Sequence, residues 1–117
     1  MYQLEDCLFC KMARHEIEPA IVYEDDDVLA FKDIKPLAPV HVLLIPKKHL
    51  ANLNEMTEAD IALLGRIQMV AKTVAAQLGL AESGYRLVMN CGPDSGQEVF
   101  HLHFHLLGGR FLGPFTR

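Results

Sequence analysis

Three histidines at alternate positions near the end of the chain are the residues whose types and spacing could carry out chemistry. They are His101, His103 and His105. Alternate side chains of a β-strand point to opposite faces, so this spacing predicts a strand with three imidazoles on one face. A helix would scatter the same imidazoles around its axis. The neighbouring residues that would then face a core are Leu102, Phe104 and Leu106.

A row of neighbouring imidazoles suits a reaction, an anion or a metal, because like charges disfavour one another and the rings cannot all be protonated cheaply. An imidazole is nucleophilic near neutral pH and can carry a phosphoryl or nucleotidyl group transiently. A second, protonated imidazole could offset charge on the phosphate oxygens. The same rings could instead ligate a metal, or be divided between zinc and phosphate. The plainest alternative is a hydrated strand face with incidental histidines.

Two further motifs could supply ligands. The loop at residues 91–98 contains glycines, which let backbone N–H groups turn toward an anion, and it leads directly into the histidine row. Cys7 and Cys10 form a C-x-x-C, a spacing that indicates half a zinc site or a redox pair. A redox pair would normally follow a strand in a βαβ pattern, which the sequence lacks. The alternative is two small, half-buried apolar side chains.

Five β-prone runs and two helical segments must position these motifs. A short helix is predicted over residues 8–14. A long helix is predicted to begin at Thr57, with Asp60 in a capping arrangement, and to end at Gly79. The predicted strands are residues 20–23, 28–31, 40–45, 85–90 and the histidine row. Apolar residues cover more than one stripe of the long helix, which suggests a second buried surface such as a subunit contact.

Two polar residues at the predicted strands allow two interpretations each. Asp33 follows the second strand and could accept hydrogen bonds from a ribose diol, or it could cap the turn before Pro36. His41 stands alone in an apolar strand, where a histidine is more often a satisfied core residue than a catalyst. The local sequence does not decide the role of Asp33, and it favours the core role for His41.

Bulk properties exclude several classes of protein. The length of 117 residues suits one domain, residues 1–117, with a single core. A net charge of −4 disfavours binding to duplex nucleic acid, which calls for a concentrated basic surface. The sequence has no run of 18 apolar residues, so no membrane span is predicted. The acidic N-terminus lacks the basic and apolar regions of a signal peptide. Three cysteines form no obvious disulfide set, so we expect a reduced, cytoplasmic setting.

These motifs together closely resemble the histidine-triad (HIT) family, in particular the bacterial-like members of its Hint branch. The signature His-φ-His-φ-His-φ-φ is matched by residues 101–107. Other segments that match in order are 8–9, 30–34, 38–41, 45–49, 84–86 and 96–99. The resemblance covers nearly the whole chain and implies an α+β fold with a five-stranded antiparallel sheet, one long helix and one short helix. It also implies a homodimer in which two sheets join across the interface.

The resemblance implies hydrolysis of purine nucleoside phosphoramidates, including adenosine 5′-monophosphoramidate and conjugates of AMP with amines. His103 would be the nucleophile, His105 would stabilise charge on the phosphate, and His41 would help to orient the triad. Asp33 would hold the ribose hydroxyls. Residues expected to enclose the base are Leu8, Phe9, Phe31 and Ile34. Residues expected on the phosphate side are Asn90, Gly96, Gln97, Glu98 and Val99, besides His103 and His105.

Two features depart from many members of the Hint branch. Glu98 stands where many members carry a serine that forms a hydrogen bond with the leaving amine. Bacterial-like members also have glutamate at this position. The cysteine pair is absent from many members, and relatives that have it hold a structural zinc. The ligands that this implies here are Cys7, Cys10, His49 and His101. No organic cofactor is implied.

Two alternative functions are weighed against the phosphoramidase. One is dinucleoside polyphosphate hydrolysis, as in the Fhit branch of the family. The compact length and the Gly108-Gly109-Arg110 ending resemble the Hint branch more closely. The other is a non-catalytic module that binds nucleotides or protein partners, against which the intact His41, His103 and His105 argue.

Overall fold

Five antiparallel strands form one sheet in the order β1-β2-β3-β5-β4. The structure is a computed structural model that describes residues 3–114. The strands are β1 (Ile21–Glu24), β2 (Val28–Lys32), β3 (Val40–Pro46), β4 (Tyr85–Met89) and β5 (Phe104–Gly108). The predicted hairpin of β1 and β2 is present, and the sheet continues through β3 and β5 to β4 at the far edge.

Two helices accompany the sheet, α1 (Leu8–Ala13) and α2 (Ile61–Gln77). A single 3-10 turn at Glu58–Asp60 leads into α2, so the α-helix proper begins four residues after the predicted cap. The Thr57 N–H donates to the Asp60 carboxylate at 3.0 Å, as the capping arrangement predicts. Gly79 ends the helix with φ +77°, a left-handed conformation that glycine adopts without steric cost. Two more 3-10 turns lie at Leu53–Glu55 and Pro93–Ser95.

The two faces of the sheet pack against different partners. Alternate residues of β2 and β3 face α2, whose buried stripe completes the larger core. The strand residues on that face are Val28, Ala30, Val42 and Leu44. The opposite face carries a smaller apolar cluster, which consists of Phe9 from α1 together with Leu29, Phe31, Leu43 and Ile45. The α2 side is therefore the structural core, and α1 covers part of the other side.

The prediction of a strand through all three histidines is wrong at its start, because β5 begins only at Phe104. The register pairs Leu44 with Phe104, so Pro46 would stand opposite Leu102 if the ladder continued. Proline has no N–H to donate, and the Leu102 N–H donates instead to the Leu50 carbonyl at 2.6 Å. The predicted alternation of faces holds nevertheless. The residues of the row that reach the α2 side are Leu102, Phe104 and Leu106.

The predicted α+β fold is confirmed, with its five-stranded antiparallel sheet, one long helix and one short helix. Within residues 3–114, no helix is both long enough and apolar enough to cross a membrane. The chemistry-bearing histidines lie on the sheet face that α2 leaves uncovered. What they can do there depends on the hydrogen bonds of each ring.

Candidate functional site

His103 stands immediately before β5, and its hydrogen bond defines which ring nitrogen is available for chemistry. Its Nδ1 lies 2.7 Å from the backbone carbonyl oxygen of His101. A carbonyl only accepts, so Nδ1 carries the proton and donates. The Nε2 of a neutral His103 therefore presents a lone pair, as a nucleophile requires. Burial lowers the pKa of His103 from its ordinary value, which favours this neutral form.

His41 and His105 form a second imidazole pair with a defined direction. The backbone N–H of Leu37 donates to His41 Nδ1 at 3.0 Å, so the proton of a neutral His41 is on Nε2. That Nε2 lies 2.9 Å from His105 Nδ1, which must accept. His105 in turn carries its own proton on Nε2. The result is an acceptor nitrogen on His103 and a donor nitrogen on its neighbour His105, with ring centroids 5.0 Å apart.

The surroundings of these imidazoles favour their neutral forms. Burial, together with the neighbouring His103 and His41, lowers the pKa of His105 to about 4. Burial also lowers the pKa of His41, although the Asp33 carboxylate acts in the opposite direction. A neutral His105 still donates a hydrogen bond from Nε2, and a bound anion would favour its protonation.

Asp33 caps the turn before Pro36 and also faces the imidazole group. It follows β2, and its Oδ1 accepts from the Lys35 N–H at 2.7 Å, which is the turn-capping role. Its Oδ2 lies 3.4 Å from His41 Nε2, so the carboxylate also faces the imidazole group. Each carboxylate oxygen accepts more than one hydrogen bond, and capacity therefore remains for a diol.

The four residues expected to enclose a base divide into an exposed pair and a buried pair. Leu8 is 43% exposed and Ile34 is 92% exposed, so both offer apolar surface to a ligand. Phe9 and Phe31 are 4% and 3% exposed, and their rings pack edge to face with centroids 5.5 Å apart. The buried pair forms the floor of this region.

Gln97 anchors the glycine loop that precedes the histidines. Its Oε1 accepts from the Gly92 N–H at 2.8 Å, and its Nε2 donates to the carbonyls of Ala51 and Val99 at 2.8 and 3.1 Å. The side chain is thus turned inward and holds the loop to residues after β3. Gly96 adopts φ +87°, a left-handed conformation that other residues adopt only with strain.

A cleft of ≈ 520 Å³ lies between the N-terminal segment and the end of this loop. Its lining includes Leu8, Glu98 and Val99 from the expected nucleotide set, whereas His103 and His105 lie outside the lining. Asn90 directly follows β4, where Met89 pairs with Phe104, so it lies at the same end of the sheet as His103. Ile34 follows Asp33 in the loop after β2.

Four side chains from three distant parts of the chain form a separate cluster. They are Cys7, Cys10, His49 and His101, whose ligand atoms all lie within 4.8 Å of one another. The Nδ1 of His101 is 3.3 Å from Cys7 Sγ, 3.5 Å from Cys10 Sγ and 3.2 Å from His49 Nδ1. Tetrahedral zinc with ordinary bond lengths requires S···N edges of about 3.6 Å and an N···N edge of about 3.3 Å. The four residues therefore fit a zinc ion.

The hydrogen bond of His101 supports the same assignment. Its Nε2 donates to the Pro46 carbonyl at 2.7 Å, so Nδ1 is unprotonated and directed into the cluster. A ligand histidine commonly donates its other N–H to a carbonyl in this way. Burial raises the pKa of the Cys10 thiol to about 11 in the absence of metal, so metal binding would displace a thiol proton.

A second group, Asp33, His41 and His105, also brings metal-ligand atoms within 4.8 Å. This group does not fit a metal. His41 accepts from the Leu37 N–H at Nδ1, so a metal on Nε2 would leave the ring without a proton, as an imidazolate. The hydrogen bond from His41 to His105 uses the same nitrogen. The imidazole group is thus a proton-ordered network and the cysteine cluster is the candidate metal centre.

The structure brings together most of the predicted site residues and adds backbone groups that sequence reasoning missed. The Leu37 N–H orders His41, and the carbonyls of Pro46 and His101 order His101 and His103. No residue type marks a backbone partner, so the sequence carries no signal for them. The direct contact of the Phe9 ring with His103, with centroids 5.3 Å apart, was also not predicted.

The five-stranded antiparallel sheet carries an ordered row of imidazoles on the face that α2 leaves open. The HIT domain model matches residues 14–112. A purine nucleoside phosphoramidase of Escherichia coli K12 is 50% identical over 110 residues, which cover 94% of this chain and 92% of that protein. An uncharacterized HIT-like protein of Synechocystis is 59% identical over 112 residues, covering 96% and 95%.

Solved structures agree with these relatives. A HIT family hydrolase from Clostridium thermocellum superimposes with a TM-score of 0.93 at 54% identity, covering 96% of this chain and 97% of that chain. The chain belongs to the HIT family, as its motifs predicted. It is a hydrolase of that family.

Proposed function

We propose that the chain hydrolyses the P–N bond of purine nucleoside 5′-phosphoramidates, such as adenosine 5′-monophosphoramidate and AMP joined to an amine. The observation that carries this proposal is the proton order of the imidazoles. His103 presents an unprotonated Nε2 because its Nδ1–H is bonded to a carbonyl, and His105 presents an Nε2–H because its Nδ1 accepts from His41. A nucleophile and a donor to phosphate oxygen thus stand side by side.

The reaction would proceed in two displacements on the α-phosphorus. The Nε2 lone pair of His103 forms an N–P bond while the P–N bond to the amine breaks, and the departing amine takes up a proton from solvent. Water then attacks the same phosphorus and releases one proton to solvent, the bond to His103 breaks, and AMP leaves with His103 again neutral. The carbonyl of His101 would stabilise the positive charge on the nucleotidylated ring through Nδ1–H. His105 would offset charge on the phosphate oxygens.

The remaining predicted contacts are proposed in the same roles. Asp33 holds the ribose hydroxyls, and Leu8 and Ile34 contact the base above the floor of Phe9 and Phe31. The phosphate side is formed by residues 96–99 and Asn90, whereas the Gly92 and Gly96 N–H groups are bonded within the loop to Gln97 Oε1 and the Pro93 carbonyl. Glu98, which lines the cleft together with Val99, would lie on the side of the leaving amine.

The relative in Escherichia coli supports the substrate class, because a purine nucleoside phosphoramidase shares half of its residues with this chain over nearly its whole length. In this proposal His103, His105 and residues 96–99 contact the phosphate of such a substrate, and Asp33 contacts its ribose.

We also propose that Cys7, Cys10, His49 and His101 hold a structural zinc ion. The S···N and N···N distances in the cluster support this proposal. A zinc ion with four protein ligands is closed to substrate and would tie the N-terminal segment to the end of β3. His103 and His105 remain available for phosphate.

The proposed assembly is a homodimer of single HIT domains, each spanning residues 1–117, with two sheets joined across the interface. β4 is an edge strand, and Tyr85 on that strand is 41% exposed. Met69 of α2 is 59% exposed and offers a further apolar side chain to a partner. We propose a cytoplasmic location, in keeping with a zinc site built from reduced thiols, and neither nucleic acid nor membrane as a partner.

The proposal is tested by turnover of a fluorogenic adenosine phosphoramidate with the wild type and with His103→Ala. We expect His103→Ala to abolish turnover while circular dichroism stays unchanged. A dinucleoside polyphosphate assayed at equal concentration distinguishes the Fhit-like activity. Tight binding of AMP without turnover by the wild type would identify a non-catalytic binding module instead.

Intact-protein mass spectrometry tests the covalent step. The slow variant His105→Ala should accumulate a nucleotidyl adduct during turnover. The adduct must disappear in the double variant His103→Ala/His105→Ala, and an adduct that persists there would contradict the assignment of His103.

A further inference from the structure

Phe9 occupies the space between the candidate metal centre and the imidazole row. Its ring meets His103 edge to face, with centroids 5.3 Å apart and an interplanar angle of 89°. It also meets His101 at 5.9 Å and 67°. With 4% of its surface exposed, Phe9 offers very little surface to a ligand. Most of this ring therefore contacts protein, and His103 is one of its principal partners.

The position of Phe9 depends on a helix that cannot be stable alone. α1 has six residues, far fewer than an isolated helix needs in water. Cys7 caps it, since its Sγ accepts from the Cys10 N–H at 3.4 Å, and Cys10 is fully buried. Both cysteines belong to the candidate metal centre. The cluster thus holds the helix on both sides of Phe9 in sequence.

His101 makes a second connection between the same two sites. Its imidazole Nδ1 points into the cluster, within 3.3 Å of Cys7 Sγ. Its backbone carbonyl accepts the Nδ1–H of His103 at 2.7 Å. One residue therefore belongs to the metal cluster through its side chain and orders the nucleophile through its backbone.

We propose that Phe9 is a positioning residue for His103, and that the Cys7–Cys10–His49–His101 cluster acts on catalysis by holding Phe9 and the His101 carbonyl against that ring. The inference rests on the proposed function, in which His103 is the nucleophile. The edge of Phe9 and the carbonyl of His101 together oppose rotation of the His103 ring. They keep the Nδ1–H inward and Nε2 toward substrate.

The effect is expected in kcat rather than in KM. A loosened His103 ring spends part of its time in orientations or tautomers that cannot attack, while the substrate still meets Asp33, Leu8 and Ile34. Loss of one aromatic edge contact would lower kcat about 3- to 10-fold. KM is expected to change less than about twofold, because ground-state contacts are retained.

The first experiment compares Phe9→Leu with Met12→Ala in the metal-loaded protein. Met12 lies on the same helix and packs against the same apolar cluster, but it has no ring to place against His103. We measure kcat and KM with the fluorogenic phosphoramidate, and the tautomer of His103 by nitrogen-15 NMR. Phe9→Leu should lower kcat and reduce the Nδ1–H tautomer, whereas Met12→Ala should leave the tautomer unchanged.

The second experiment removes the metal. Wild type stripped by a chelator should show the same loss of the Nδ1–H tautomer and of kcat, and zinc should restore both. Chelation of Phe9→Leu should then lower kcat by a smaller factor than chelation of wild type, because the two changes act on one contact. Equal factors in the two proteins would overturn the coupling.

The outcomes separate this inference from the proposed function. If His103→Ala still turns over the substrate, the proposed function fails first. If His103→Ala is inactive but Phe9→Leu keeps both the tautomer and kcat of wild type, the nucleophile stands and Phe9 is not a positioning residue. Should Phe9→Leu fail to fold, the tautomer in metal-free wild type decides: an unchanged tautomer overturns the proposal.

Discussion

His41 Nε2 and His105 Nδ1 lie 2.9 Å apart, in a hydrogen bond whose direction is set by the backbone N–H of Leu37. That N–H donates to the other nitrogen of His41, so the proton between the two rings belongs to His41. His105 must then hold its own proton on the nitrogen that points away. A loop amide before β3 thereby determines the proton arrangement of a residue on β5.

Two substitutions of His41 separate its two hydrogen bonds. In His41→Gln the side-chain amide still reaches the Nε2 position and can donate to His105, whereas in His41→Asn the shorter amide reaches only the position that meets the Leu37 N–H. We expect kcat to fall about tenfold in His41→Asn and less in His41→Gln, since one neutral hydrogen bond is lost. Steady-state kinetics check this order, and a lower kcat in His41→Gln would contradict the donor role.

The buried neutral histidines predict that stability falls in mild acid. The folded pKa of His105 is lowered to about 4 by burial and by its histidine neighbours, from an ordinary value of 6.5. Between these values the unfolded chain takes up a proton that the folded chain does not. The contribution of His105 is thus fully present above about pH 6.5 and is lost as the pH falls toward about 4, by about 2–3 kcal/mol.

Urea unfolding of wild type and His105→Gln at about pH 7 and about pH 5 measures this contribution. The drop in free energy of unfolding should be smaller in His105→Gln. His15 provides a control of opposite sign, because hydrogen bonds to Glu24 and Glu18 raise its pKa. Its contribution is present below its unfolded pKa and lost as the pH rises, so His15→Gln should not reduce the drop.

Removal of the metal should destabilise the fold. A metal that binds only the folded chain contributes its binding free energy to folding, so chelation should lower Tm by at least about 5 °C. Elemental analysis of protein purified without added metal should give close to one zinc per chain. Cys10→Ser should lose the metal and most of the chelator effect. Cys91→Ser, outside the cluster, should retain both, and a Cys91→Ser protein without metal would contradict the four-ligand assignment.

Gln97 should matter for stability and for substrate binding at once. Gln97→Ala leaves the Gly92 N–H and two carbonyls without this partner, which should cost about 1–3 kcal/mol. The loosened loop should also raise KM. Gln97→Glu keeps one acceptor but directs a carboxylate at two carbonyls, so it should be at least as damaging. Urea titration and steady-state kinetics test these expectations. An unchanged KM in Gln97→Ala would show that the loop does not contribute to substrate binding.

Much of the fold could be predicted from periodicity. The alternation at residues 101–106 correctly placed Leu102, Phe104 and Leu106 toward the core, although the strand itself starts at Phe104. That boundary depends on Pro46, which lies 56 positions before Leu102 and acts through the register of β3. A pairing partner so distant in sequence leaves no local signal at the histidines.

The site was only partly predictable for the same reason. Cys7 and Cys10 indicated half of a metal centre from their spacing, and family resemblance supplied His49 and His101. His41 resembled a core residue because its strand is apolar, and its role depends on a contact with His105, 64 residues later. Backbone partners such as the Leu37 N–H have no residue-type signature. The hydrogen-bond distances in the structure were needed to decide which nitrogen of each imidazole carries the proton.

The alternation of β3 between the two faces makes the spacing of residues along that strand as important as their identities. The side chains of His41, Leu43 and Ile45 lie on the sheet face that carries the imidazoles. Those of Val42 and Leu44 lie on the face that packs against α2. A single residue inserted after Val40 would exchange the two sets over part of the strand. It would turn an imidazole into the hydrocarbon interior and an apolar side chain toward the substrate. We therefore expect substitutions in β3 to be graded in effect, whereas length changes there abolish folding and activity together.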